Sequence, residues 1–445
     1  MRKTFLGSVG CVVAVLSLVM ACTAAAADWP QFQGVNRDGR SPEKGFPRTW
    51  PESGPRVVWS VPLGPGFAGP AIVGDEVYIL DRVDDEKDVL RCLDFTTGNE
   101  LWTYSYDSAG KKGHNGSRGT PTVDANYVYS VGMMGDMTCV DRKTHNLVWR
   151  TNLLKDLDGE MSMWGVAQNP VLYKNLVIVA AHGPDATVVA LDRVTGAEAW
   201  RSEGLGGPAY CSPAVVTLGG VEQVVMTLPP GESEDEDEGE DEDDEDREEP
   251  PGTVAGLSLK DGSTLWTYGG YSCGIPIPYP VQLPGDRLFV TGGYGAGSVM
   301  LQVTRAGDTF TVKELFRLKS DECGSQIHQP ILHEDHLYVN SNGNEGENGL
   351  TCVTLDGKVL WRTADTDGLP TFERGNLLLV DGLLIEFDGK KGTLHLIEPS
   401  PEGYREVART ELFSGNEMWA PMALSQGKLL VRNQKEMKCV DLRNP

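Results

Sequence analysis

Seven side chains in this sequence combine types and positions that could do chemistry: Arg118, Trp164, Gln168, Tyr210, Gln326, His328 and Trp419. Each stands a few residues before a proline that opens an apolar run, at Pro121, Pro170, Pro213, Pro330 or Pro421. A guanidinium, an imidazole, two amides and three large aromatic rings are groups that bind and orient a ligand in a cavity. They are not a set for nucleophilic or metal-assisted catalysis. The chain has no H-E-x-x-H, and so lacks the paired zinc histidines that pattern encodes. No catalytic residue and no metal ligand is therefore assigned. The run Asn340–Gly349 is rich in side-chain oxygen, which suits Ca²⁺. It lacks the EF-hand spacing and reads as a turn between two strands.

What brings the seven together is a repeat. Cys92-Leu-Asp94-Phe-Thr-Thr97-Gly98-Asn-Glu-Leu-Trp102 returns as Cys139-Val-Asp141-Arg-Lys-Thr144-His145-Asn-Leu-Val-Trp149, and again from Ala190 through Asp192 and Gly196 to Trp200. Looser copies run from Gly256 to Trp266 and from Cys352 to Trp361. Each is a hairpin: an apolar strand, an Asp that caps the turn, a Gly for positive φ, and a second strand ending in Trp. Upstream of each lies a Pro-led pair of short apolar strands, as at Pro70–Leu80, Pro121–Tyr129 and Pro170–Val179. Pro suits the first residue of a strand, where no ladder donor is lost. Four strands per unit, at the 40–50-residue period of propeller blades, predict an all-β, eight-bladed β-propeller of antiparallel four-stranded blades. Trp59, Trp102, Trp149, Trp200, Trp266, Phe316 and Trp361 mark successive unit ends. The last unit stops at Pro445 without a fourth strand, and Pro55–Trp59 is an orphan outer strand. The N-terminal strand is thus expected to complete the C-terminal blade, which removes the open edges of the array. The segments before the repeated prolines then converge on one channel mouth.

The formal charge of −25 is uneven. Glu232–Glu249 holds 15 acidic residues and one Arg, a local charge of −14, leaving −11 for the rest. Such a tract cannot bury an apolar face, so residues 231–251 are expected to be a disordered insertion in blade four. No cluster of Lys and Arg offers a phosphate-binding surface, which argues against nucleic acid as a partner. Residues 1–27 read as a signal peptide: Arg2 and Lys3, the apolar Cys11–Ala21, and Ala25-Ala26-Ala27 before Asp28. The apolar run is too short to span a bilayer. Cleavage after Ala27 is the expectation, with lipidation of Cys22 as the other route and the only one that ties the chain to a membrane. Residues 28–445 form the exported propeller, periplasmic or envelope-associated and expected to be monomeric. Seven cysteines follow residue 27, an odd number without a C-x-x-C pair, and they read mainly as small core residues.

The A/C-x-D-x-x-T-G-x-x-x-W units at Cys92–Trp102, Cys139–Trp149 and Ala190–Trp200 resemble the tryptophan-docking repeats of the pyrroloquinoline-quinone-like (quinoprotein dehydrogenase-like) propeller family. The opening Asp28–Gly39 is similar to the start of many secreted proteins with these repeats. The resemblance covers nearly the whole mature chain. It implies the fold and leaves two activities open, because the family holds quinone-dependent dehydrogenases and cofactor-free scaffolds such as BamB. The dehydrogenases place a ring of adjacent cysteines over the quinone, a Ca²⁺ held by carboxylates and amides, and an Asp base. This sequence has no Cys-Cys pair. The expectation is a scaffold without cofactor that binds a protein or small ligand through its channel-mouth face. The alternative is a quinone-dependent oxidoreductase using PQQ and Ca²⁺, with His328 and Arg118 against the quinone.

Overall fold

The computed structural model describes residues 27–230, 252–343 and 346–444. The expected leader, apart from Ala27, and the acidic insertion at 231–251 lie outside these residues.

Eight antiparallel sheets follow one another along the chain. The first blade contains Ala71–Val73, Glu76–Val83, Lys87–Asp94 and Glu100–Asp107, and the next six repeat this plan in order. The eighth contains Ala423–Ser425, Lys428–Arg432 and Glu436–Asp441, and its outer strand is Arg56–Pro62 from the N-terminus. The first strands of neighbouring blades touch one another and so line the central channel. Second and third strands are buried on both faces, as Val77–Leu80 and Leu176–Ala180 are, and accordingly read as continuous apolar runs. The core lies between blades: Tyr78, Leu80 and Cys92 of the first meet Val123, Val128 and Val140 of the second. In the fourth blade Leu228 and Thr253 are paired directly beside the insertion.

The repeated turn locks each blade to the one before it. Asp94 Oδ1 accepts the backbone N–H groups of Thr96 (3.0 Å) and Thr97 (2.7 Å) and the Thr97 hydroxyl (2.8 Å). Asp141 and Asp192 repeat the pattern. The Trp of one blade lies over the turn Gly of the next: Trp59 over Gly98, Trp149 over Gly196 and Trp200 over Gly262. Gly98 and Gly196 have φ of +75° and +73°, and a Cβ there would stand 2.8 and 2.7 Å from the indole. The position therefore requires Gly both for conformation and for space. The indole N–H of each completes the joint, donating to Phe95 O, Arg193 O and Leu259 O. Where the second blade has His145 instead of Gly, Trp102 stacks on the imidazole at 4.8 Å and 13°. A β-bulge precedes the docking position in all eight outer strands, between Val57 and Trp59 and between Leu147 and Trp149 for example. The extra residue turns the indole toward the neighbouring blade and leaves its own side chain outside, as at Leu101, 50% exposed.

The N-terminal segment does more than supply one strand. Trp29 exchanges backbone hydrogen bonds with Ile72 of blade one, and Pro30 O accepts Val123 N–H of blade two. Gln33 Nε2 donates to Gln329 Oε1 of blade six (3.3 Å), Arg37 Nη2 to Pro213 O of blade four (3.3 Å), and Tyr279 of blade five to Arg37 O (2.5 Å). Arg40–Ser41 then runs parallel to Leu379–Val380 of blade seven. Residues 29–41 thus occupy the channel and touch six of the eight blades. Beyond them, buried Glu43 accepts the backbone N–H groups of Gln426 and Gly427 and pairs with Arg443 at 2.6 Å, which ties the segment to blade eight.

Candidate functional site

Above this plug, at the mouth formed by the loops that lead into the first strands, lies a cavity of about 470 Å³. Phe32 of the plug contributes to its lining, and its ring meets Tyr279 edge-on at 6.0 Å. The remaining wall is an aromatic belt. Phe67 and Trp419 stack at 5.4 Å, His114 contacts both Trp419 (5.3 Å) and Trp164 (5.7 Å), and Trp164 stacks on Tyr210 at 5.5 Å. Two guanidiniums cap the Phe67–Trp419 pair: Arg118 Cζ lies 5.7 Å from the Phe67 centroid and Arg374 Cζ 5.0 Å from that of Trp419. Cation–π contacts of this kind pin the long side chains against the rings.

The polar groups are held from behind. Arg118 donates to the carbonyls of Gly116 (2.7 Å), Gly113 (2.8 Å) and His114, so a backbone loop fixes it. Burial lowers its pKa to about 10. Arg374 donates to Gln326 Oε1 (2.6 Å) and pairs with Glu373, whose other oxygen accepts the Trp419 indole N–H (3.3 Å). Glu417 pairs with His114 at 3.2 Å. His328 is 3% exposed, and burial lowers its pKa to about 4, so the ring is neutral. Its tautomer follows from its neighbour. Asn376 Oδ1 accepts Met422 N–H (2.9 Å), which turns the Asn376 amide nitrogen toward His328 Nδ1 (3.1 Å). Nδ1 is then an acceptor and the proton sits on Nε2. That Nε2 has no hydrogen-bond partner.

Six of the seven residues singled out from sequence line this cavity: Arg118, Trp164, Tyr210, Gln326, His328 and Trp419. Gln168 does not. It is buried behind the wall, with its Nε2 3.3 Å from His182 Nε2 and 3.3 Å from Cys211 O, where it braces blade three against blade four. One residue before the Pro, the chain presents Asn169 to the cavity instead. Sequence reasoning missed Phe32, His114, Tyr294, Glu373, Arg374, Lys390, Asn416 and Glu417. Glu373 and Arg374 lead into the first strand of blade seven, Asn376–Val380, which has Gly375 rather than a proline directly before it. The oxygen-rich run at Asn340 forms a hairpin, and Asn340 and Asn342 donate to Gly375 O (2.8 Å) and Phe372 O (2.7 Å). These bonds hold the loop carrying Glu373 and Arg374, in which Phe372 and Arg374 have positive φ.

The cavity does not supply the residues that a quinone and its Ca²⁺ require under the resemblance. The seven cysteines are separate buried thiols, and burial drives that of Cys211 up to about 12. No Asp lines the wall, and its two carboxylates are already paired with Arg374 and His114. Among the described residues no three His, Cys, Asp or Glu side chains converge as a ligand set. The residues present do not fit that pair.

Comparison with known proteins places the fold. No curated protein sequence matches the chain significantly. BamB from Moraxella catarrhalis superposes with a TM-score of 0.56 at 12% identity, over 87% of this chain and 99% of that one. A europium-containing methanol dehydrogenase gives 0.65 at 13%, over 91% and 89%. The quinohemoprotein alcohol dehydrogenase of Comamonas testosteroni gives 0.60 at 11%, over 94% and 81%. At such identities the likeness is one of architecture. A family model described as outer membrane protein assembly factor BamB matches residues 85–272 and 250–444. With its docking turns, its eight blades and this match over most of its length, the chain belongs to the BamB-like family of pyrroloquinoline-quinone-repeat β-propellers.

Proposed function

We propose that this protein is an exported, envelope-associated propeller scaffold that binds a small ligand in its channel-mouth cavity. The observation that carries the reading is the plugged channel. Residues 29–41 fill the propeller's axis, so the space between Phe67, Trp164, Tyr210 and Trp419 is a pocket with a floor. A concave apolar cavity of this size with a few fixed polar groups is the usual form of a small-molecule site. Arg118, Trp164, Tyr210, Gln326, His328 and Trp419 are its binding residues in this reading, and Gln168 supports them from behind. Export rests on the leader-like residues 1–27.

Titration of the purified mature chain with methyl 2-naphthoate, a neutral flat probe, followed by tryptophan fluorescence, tests the reading. One saturable site is expected, weakened at least about tenfold by Trp419→Ala. Binding that ignores Trp419→Ala and Trp164→Ala would refute it. A parallel assay with PQQ, Ca²⁺, an alcohol panel and an artificial electron acceptor should give no turnover above background. Turnover that disappears on His328→Ala or Arg118→Ala would replace the scaffold with an oxidoreductase.

A further inference from the structure

We propose that the cavity selects an organic anion: an apolar body against the aromatic belt, with one oxyanion directed at Arg118. This rests on the small-ligand reading above and gives the ligand's chemical class.

The first argument is charge. Three cationic side chains, Arg118, Arg374 and Lys390, line the cavity against two carboxylates, Glu373 and Glu417. The excess is positive, in a chain whose formal charge is −25. A cleft lined by one sign of charge raises the local concentration of counter-charged ligand.

The second argument is saturation. Both Glu373 oxygens are engaged, by Arg374 and by the Trp419 indole, and Glu417 is engaged by His114. A cationic ligand at Glu373 would have to break one of these pairs. Arg118 differs. It has no carboxylate within ion-pairing distance among the described residues, and its bonds go to backbone carbonyls only. Burial already disfavours its charge, and an incoming oxyanion would recover that cost through charge-assisted hydrogen bonds.

The third argument is the apolar belt. Phe67 and Trp419 stack at 5.4 Å, Trp164 stacks on Tyr210 at 5.5 Å, and Arg118 Cζ lies 5.7 Å from the Phe67 centroid. An apolar body against these rings leaves its oxyanion beside the guanidinium.

The test compares 2-naphthoate with its methyl ester, which share one apolar body and differ in charge, by calorimetric titration at low and moderate salt. The anion is expected to bind about tenfold or more tightly than the ester, with a preference that shrinks in salt. Arg118→Gln should remove most of that preference and Arg118→Lys should retain it. Lys390→Gln, at an exposed position, should reduce it by a smaller factor without any demand on folding. Competition by inorganic sulfate or phosphate at millimolar concentration would identify the oxyanion alone as the recognised group, and competition by 2-naphthoate only would identify a body bearing a carboxylate. Equal binding of acid and ester, unchanged in Arg118→Gln and Lys390→Gln, would overturn the inference and leave the cavity reading intact. Absence of Trp419-dependent binding by either probe would overturn both.

Discussion

Trp59 and Gly98 close the ring. Trp59 comes from the N-terminal strand that completes blade eight, and its indole covers the Gly98 turn of blade one so closely that a Cβ there would stand 2.8 Å from it. Its N–H donates to Phe95 O at 3.0 Å. The joint between the two ends of the chain is therefore the same joint that links interior blades.

Trp59→Ala should accordingly cost as much as an interior docking change. Loss of a buried Trp costs about 3–5 kcal/mol. Thermal melting of Trp59→Ala and Trp149→Ala should show downward shifts of similar size. A Trp59→Ala protein that melts with the parent while Trp149→Ala does not would show that closure contributes little.

Gly196→Ala should destabilise by about 1–3 kcal/mol, since φ is +73° and the new Cβ would meet the Trp149 ring at 2.7 Å. Urea unfolding measures it directly. A neutral result would mean that the turn yields without disturbing the indole.

The acidic tract should be dispensable for folding. Leu228 and Thr253 already pair beside it, and loop length enters closure entropy only logarithmically, about 0.6 kcal/mol per doubling. Replacement of residues 231–251 by a short Gly/Ser loop should leave the melting temperature near that of the parent. A large loss of stability would show that the tract itself supports blade four.

Stability should fall between neutral pH and about pH 4 through two buried histidines. Burial lowers both His182 and His328 from 6.5 to about 4. The unfolded chain thus takes up protons before the folded one does, and stability declines as pH drops through that window. Each ring contributes roughly 3 kcal/mol across it. Unfolding free energies at pH 7 and pH 4.5 should differ by less in His328→Gln than in the parent. An unchanged difference would show that His328 is not the titrating group.

The fold was legible because each blade repeats its own signature: an Asp cap, a Gly at positive φ, and a Trp that needs that Gly. Even the circular closure could be read, from a missing strand at one end and a spare one at the other. The site was legible only where the Pro marker stood. Blade seven opens at Asn376 without it, so Glu373 and Arg374 were invisible, although they supply both the ion pair and the cap over Trp419. Gln168 illustrates the opposite error. Proximity to the marker does not fix side-chain direction, and a one-residue offset exchanges Gln168 for Asn169 at the wall. The plug carried no periodic signal at all. Its contacts reach six blades far apart in sequence, through Trp29, Pro30, Gln33, Arg37 and Arg40–Ser41.

The most direct test of the central claim is a crystal structure of the mature chain soaked with 2-naphthoate. The account predicts density for the probe in the channel-mouth cavity, bounded by Trp164, Tyr210 and Trp419, with its carboxylate toward Arg118. A cavity that holds only solvent at a probe concentration saturating in solution, or a probe seated elsewhere on the propeller, would contradict it.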